Sequence, residues 1–132
     1  MRAERFEDLV AWQKARLLAG ASYEITRSRD FSHDYALARQ MQRAAVSIMS
    51  NVAEGFGRAG RVEFHRFVTI ARGSCFELLS QVYLATDIGY IHPQEFERLR
   101  AMIEEVSKIP APCERVSRNS ANSPQAPKRL SA

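Results

Sequence analysis

The sequence predicts an all-α protein, an antiparallel four-helix bundle connected up-down-up-down. Three observations carry that prediction. Apolar residues recur at spacings of three and four along four separate segments. No stretch of appreciable length alternates apolar and polar residues as a half-buried strand would. The connections, "SRDFS", "GFGRAGR" and "GYIHP", are short, and short loops between long helices force antiparallel neighbours.

The first helix is expected over about residues 7–29. Ala11, Ala15, Leu18, Ser22 and Ile25 form one stripe, widened by Val10, Leu17 and Ala21. Leu9, Trp12, Ala19 and Tyr23 lie on a different side, and a helix apolar on two sides usually has two partners. The second helix, about residues 33–56, carries the seam Ala38, Met41, Ala45, Ile48, Val52 and Phe56, with Ser32 or Asp34 available as its N-cap. The third, about residues 62–89, runs from Phe64 through Phe67, Val68, Ala71, Cys75, Leu78, Leu79 and Val82 to Ala85. The fourth begins at His92-Pro93, where proline suits a first helical turn. It continues through Phe96, Leu99, Ile103 and Val106 until Pro110 ends it.

These elements make residues 1–109 one bundle domain. Residues 110–132, with three prolines beyond Pro110, four serines and few large apolar side chains, read as a basic, disordered tail by composition. The 132-residue chain is long enough to bury a single core. No apolar run approaches the roughly 20 residues that cross a bilayer, and the charged start "MRAERFEDLV" lacks a signal core. The expectation is a cytoplasmic protein with no membrane partner.

"GFGRAG" at residues 55–60 has the glycine spacing of a dinucleotide fingerprint. That fingerprint works only between a strand and a helix, where glycines admit a pyrophosphate. Here "AAVSIMSNVAE" precedes it as a helix seam, so the glycines are expected to serve a helix end and turn, tolerating positive φ. Cys75, inside an apolar stripe, is expected to be a buried free thiol, and Cys113 lies in the tail. His33, His65 and His92 have no metal-ligand spacing and suit helix ends or solvated faces. Glu54, Glu63 and His65 flank the glycine corner, but positions two apart on a helix do not face each other. Glu104 and Glu105 likewise diverge, and no Glu-x-x-His pair suggests a di-iron bundle. The reading is non-enzymatic, with no cofactor or metal.

Net charge is +4 and unevenly distributed. Residues 27–72 carry eight arginines against four acids. Arginine matches phosphate geometry, so this section suits an anionic partner as well as a solvated, ion-paired surface. The candidate nucleic-acid contacts are Arg39, Arg43, Arg58, Arg61, Arg66 and Arg72. Trp12, Tyr23 and Tyr35 are candidates for stacking on unpaired bases, with burial between helices the better reading of Trp12. Between the apolar stripes of the second helix, Arg39, Gln40, Gln42, Arg43, Ser47, Ser50, Asn51 and Glu54 form polar rows. Part of this row is expected to meet another subunit, because the apolar stripes exceed the needs of one bundle.

"FEDLVAWQKA", "YALARQMQRAAVSIMSNVAEGFGR" and "EFHRFVTIARGS" together resemble the bacterial four-helix bundle proteins encoded by intervening sequences in large-subunit ribosomal RNA genes, a family also labelled S23 ribosomal protein. The likeness covers about residues 6–109. A relative of that fold is the accessory variability determinant of diversity-generating retroelements, a basic pentameric barrel that binds nucleic acid and a reverse transcriptase. The resemblance implies a homopentamer with a central channel, RNA or DNA as ligand, and no catalytic residues. The alternative it implies is a protein-interaction scaffold, such as a reverse-transcriptase accessory subunit. Its motif falls on Arg43, Ser47, Ser50, Asn51, Glu54, Gly55, Gly57 and Arg58. Two departures stand out. Met49 replaces the family's usual proline, which predicts a straighter second helix, and "PAP" stops the fourth helix early.

Overall fold

The computed structural model describes residues 3–109. Cys113 and the predicted tail lie outside the described residues. A 3₁₀ turn at Phe6–Asp8 leads into four helices: α1 (Val10–Thr26), α2 (Tyr35–Gly57), α3 (Arg61–Ile88) and α4 (Pro93–Ser107). Helix α1 packs on α2 and α4, and α3 packs on the same two, so the helices sit at the corners of a square in chain order. The α2–α3 pair makes the most extensive contact. The predicted bundle is present, with every connection joining neighbours.

Side chains of the four apolar stripes fill the interior. Leu18, Met41, Ile48, Val52, Phe64, Val68, Leu78, Leu99 and Ile103 are buried, each contributing on the order of 1.5–3 kcal/mol by leaving water. The stripes were predicted almost residue by residue, with one correction. Leu17, expected to widen the buried stripe of α1, is 65% exposed. Lying six residues from Ala11, it turns away from the core toward solvent.

Helix α1 is also shorter than its periodicity suggested, because each end is closed locally. At its start, Leu9 is extended and buried, and its N–H bonds to Phe6. At its end, the Thr26 hydroxyl donates to the carbonyls of Ser22 (2.8 Å) and Tyr23 (3.2 Å). Helix α2 is capped by Asp34, whose Oδ1 accepts the Leu37 N–H at 3.1 Å, and it continues unbroken past Met49. Helix α4 starts with Pro93, and Glu95 reaches back to accept the His92 N–H at 3.1 Å.

The glycine corner differs from expectation. Neither Gly55 nor Gly57 has positive φ; Ala59, at φ 55°, is the left-handed residue of this turn. Gly55 lies inside α2 because α3 presses against it. A Cβ there would sit 2.9 Å from Phe67 Cβ and 3.3 Å from Phe64 Cδ1. Close approach, and not turn conformation, is what requires glycine at 55. The glycine with positive φ is Gly89, at 102°, which ends α3.

Candidate nucleic-acid interface

The six candidate arginines fall into three settings. Arg58, Arg61 and Arg66 gather at the α2–α3 corner. Arg58 is the C-cap of α2, Arg61 is the first residue of α3, and Arg66 stands one turn further on. Between them lies Phe67, whose ring centroid is 5.2 Å from the Arg58 guanidinium carbon and 5.6 Å from that of Arg66. Each cation is held by the quadrupole of the ring, worth about 0.5–1 kcal/mol at exposed sites.

The same two arginines have acidic neighbours on their own helices. Arg58 pairs with Glu54 at 2.9 Å and Arg66 with Glu63 at 3.5 Å. These pairs are exposed, so each is worth no more than about 1 kcal/mol and opens readily to a stronger anion. Arg61 has no acidic partner among the described residues. It also stands at the positive end of the α3 dipole, where a cation is ordinarily disfavoured. Gly60, the N-cap, offers no side chain to the first-turn amides. An uncapped helix start whose first residue is an arginine has the donors an anion needs.

Arg39 and Arg43 form a second setting near the other end of α2. Fifteen residues separate Arg43 from Arg58, about 22 Å along the helix. Both are exposed, and neither has an acidic partner within 4 Å among the described residues. They edge a groove of about 430 Å³ whose floor includes Leu37, Leu84 and Ile88.

Arg72 is alone in the third setting. Its Nε donates to the Ser107 carbonyl at 3.2 Å and its Nη2 to the Ile109 carbonyl, so it closes the C-terminus of α4. Nothing in the spacing of α3 signalled this, because the partners are more than thirty residues away.

Half of the polar row of α2 is engaged within the chain. Ser47 and Ser74 share a hydrogen bond of 2.8 Å between α2 and α3. Asn51 donates to the Ser47 carbonyl and hydroxyl at 2.8 and 3.0 Å. Gln42 donates to Thr26 Oγ1 at 2.9 Å, tying α2 to α1. Of the stacking candidates, Trp12 is half-buried, with Phe6 edge-on at 5.0 Å and Arg16 over its ring. Tyr23 is half-buried beneath Arg27, and Tyr35 is 74% exposed.

Acid–base constellations are sparse. Glu54 and Glu63 pair with arginines, while His33, His65 and His92 are exposed and scattered. No group of three His, Cys, Asp or Glu among the described residues has the geometry of a metal site. Cys75 is buried, and desolvation pushes its thiol up to about 11 despite the nearby charge of Arg72. No described helix is long and apolar enough to cross a membrane.

An antiparallel four-helix bundle with a basic corner is the class that fold and surface define. The chain belongs to the family of 23S rRNA-intervening sequence proteins, which it matches over residues 7–111. It is similar in fold to the crystal structure of a protein of unknown function from the S23 ribosomal protein family of Bacteroides thetaiotaomicron VPI-5482. That likeness has a TM-score of 0.69 at 20% identity, covering 75% of this chain and 93% of the other. No curated protein matches the chain.

Proposed function

We propose that the protein is a non-enzymatic, oligomeric accessory factor that binds the backbone of RNA or DNA at the α2–α3 corner. The observation that supports this reading is the pair Arg58 and Arg66 on the ring of Phe67, with Arg61 the first residue of the uncapped α3. Guanidinium groups and free backbone amides recognise phosphate without reading bases. Arg72 is left out of this surface because its donors are engaged by α4. The homopentameric ring expected from the family resemblance belongs to the same proposal. In a ring, each corner is repeated, and weak phosphate contacts add along one nucleic acid.

The test is filter binding of a structured RNA at two salt concentrations. Backbone binding falls steeply with salt, the log–log slope losing about 0.9 for each phosphate contact removed. Arg61→Gln and Arg58→Gln should each flatten the slope, while Arg72→Gln should leave it unchanged. Binding that is absent at low salt, or indifferent to salt, overturns the proposal.

A second reading, a scaffold for another protein such as a reverse transcriptase, is favoured by a different observation. Among the described residues, six of the nine exposed large apolar side chains stand on α3. Recovery of one protein partner after nuclease treatment, with no RNA binding, would select it.

A further inference from the structure

The groove edged by Arg39 and Arg43 has a character that a nucleic-acid backbone alone does not use. Its floor is aliphatic, with Leu84 50% and Ile88 49% exposed, and its volume of about 430 Å³ suits a small planar group. Gln40 lines the same space with an amide that both donates and accepts. Tyr35, 74% exposed, stands one turn before Arg39 on α2. Sugar and phosphate gain nothing from exposed leucine and isoleucine. An unpaired base does, because it joins an apolar face and a hydrogen-bonding edge to a charged backbone. In a duplex those faces are hidden in the stack, and only the edges reach the grooves.

The groove is also the far end of a seam that begins at the phosphate-binding corner. On α3, Arg66, Ile70, Gly73, Glu77, Leu84 and Ile88 follow one another at helical spacing, and all are exposed. On α2, Arg39, Arg43, Ser50 and Glu54 form an exposed line of the same kind, ending one turn before Arg58. Leu84 and Ile88 meet Arg39 and Arg43 because α2 and α3 run antiparallel, the end of one beside the start of the other. Mid-way along, an added Cβ at Gly73 would meet nothing within 4 Å, so the seam is open there. A strand lying in it meets guanidinium groups at both ends, with Arg43 and Arg58 about 22 Å apart along α2.

Acids on this path are of two kinds. Asp34 lines the groove, but its Oδ1 accepts the Leu37 N–H and its Oδ2 accepts the Tyr90 hydroxyl. Glu54 and Glu63 pair with Arg58 and Arg66. Glu77 on the seam and Asp87 beside Ile88 are exposed, without ion-pair partners among the described residues. Arg39 and Arg43 are unpaired in the same sense. The seam therefore has two cationic ends separated by Glu77, and only the groove end adds an apolar floor.

We propose that the α2–α3 groove holds an unpaired segment of the RNA or DNA strand whose backbone sits at the corner. One base lies on Leu84 and Ile88, its neighbour stacks on Tyr35, and Arg39 and Arg43 hold the intervening phosphates. This assignment deepens the proposed function, and rests on it, by naming the ligand class: a nucleic acid with a paired part and an unpaired part. It separates the role of Arg39 and Arg43 from that of Arg58 and Arg61.

The experiment is fluorescence anisotropy of the full chain with a blunt RNA hairpin and with the same hairpin carrying an unpaired extension. Two further probes are the hairpin with an abasic extension and the extension alone. The unpaired extension should tighten binding by at least about tenfold. The abasic extension keeps every phosphate and should lose most of that gain. Leu84→Ser with Ile88→Ser should remove the gain and leave the blunt hairpin bound as before, with circular dichroism confirming helicity. Arg39→Gln with Arg43→Gln should reduce the log–log salt slope for the extended hairpin by about 0.7 for each phosphate lost, and leave that of the blunt hairpin unchanged. An extension that adds nothing, an abasic extension that binds as tightly as the intact one, or a gain that survives Leu84→Ser with Ile88→Ser overturns the assignment and leaves the corner standing. A blunt hairpin that fails to bind, while the extension alone binds through Leu84 and Ile88, overturns the corner and leaves the groove. Binding of no probe overturns both.

Discussion

The phenol of Tyr90 donates to Asp34 Oδ2 at 3.1 Å, while the other oxygen of that carboxylate caps α2 through the Leu37 N–H. One carboxylate thus joins the loop after α3 to the start of α2. Beneath it, fully buried Phe31 packs against the Tyr90 ring with centroids 4.8 Å apart. Asp34→Ala should destabilise the protein by about 1–2 kcal/mol, the usual worth of an N-cap. Tyr90→Phe should lower stability through loss of its hydrogen bond to the same carboxylate. Because both act on one carboxylate, the double variant in urea denaturation should lose less than the sum.

The same hydrogen bond has a pH signature. Its donation to Asp34, aided by burial and the carboxylate's charge, holds the Tyr90 phenol above the ordinary tyrosine range. The proton is therefore bound more tightly in the folded protein. Its contribution is complete below the unfolded pKa and is lost as pH rises through the raised value. Stability of the native chain should fall in this alkaline window more than that of Tyr90→Phe, as read by urea midpoints across the range.

Glycine at 55 and glycine at 73 should respond in opposite directions to alanine. Gly55→Ala drives a methyl into Phe67 and Phe64 and should destabilise by about 1–3 kcal/mol. Gly73, mid-way along α3, faces open space, and Gly73→Ala should stabilise by about 0.5–1 kcal/mol. Thermal unfolding of the two variants at equal concentration would decide this. Equal shifts would refute the close packing of α2 on α3.

Arg72→Gln should loosen the end of α4 without touching the phosphate-binding corner. The lost charged hydrogen bonds to Ser107 and Ile109 should raise amide exchange in the last turn of α4. The global stability loss should be about 1–2 kcal/mol. Exchange unchanged in that turn would show that Arg72 is not its cap.

Cys75 should be chemically silent while the protein is folded. In a Cys113→Ser variant, a thiol reagent at pH 8 should react only as fast as the chain opens, because the thiol is buried and ionises only at about 11. Denaturant should restore ordinary reactivity. Prompt reaction of the native variant would contradict the packing of α3.

Much of this molecule was legible before any coordinates. The seams of α2 and α3 fell where the three–four spacing put them, because burying an aliphatic stripe is a demand the periodicity itself expresses. The pairs Arg58–Glu54 and Arg66–Glu63 were not read from the sequence, although their spacing of three and four residues expresses them. Leu17 misled because a residue on the shoulder of a stripe is buried or exposed according to where the neighbouring helices stand.

What the sequence determined alone was therefore local and periodic: four helices, their inward stripes and the concentration of arginine between the first and third. Tertiary structure decided which arginines meet. It placed Phe67 between Arg58 and Arg66, sent Arg72 to the end of α4, and set Arg39 and Arg43 beside the aliphatic side chains of α3. The reason is that a side chain's role follows from atoms contributed by other helices. Spacing along one chain fixes a residue's direction from its own axis, but not what it will find there.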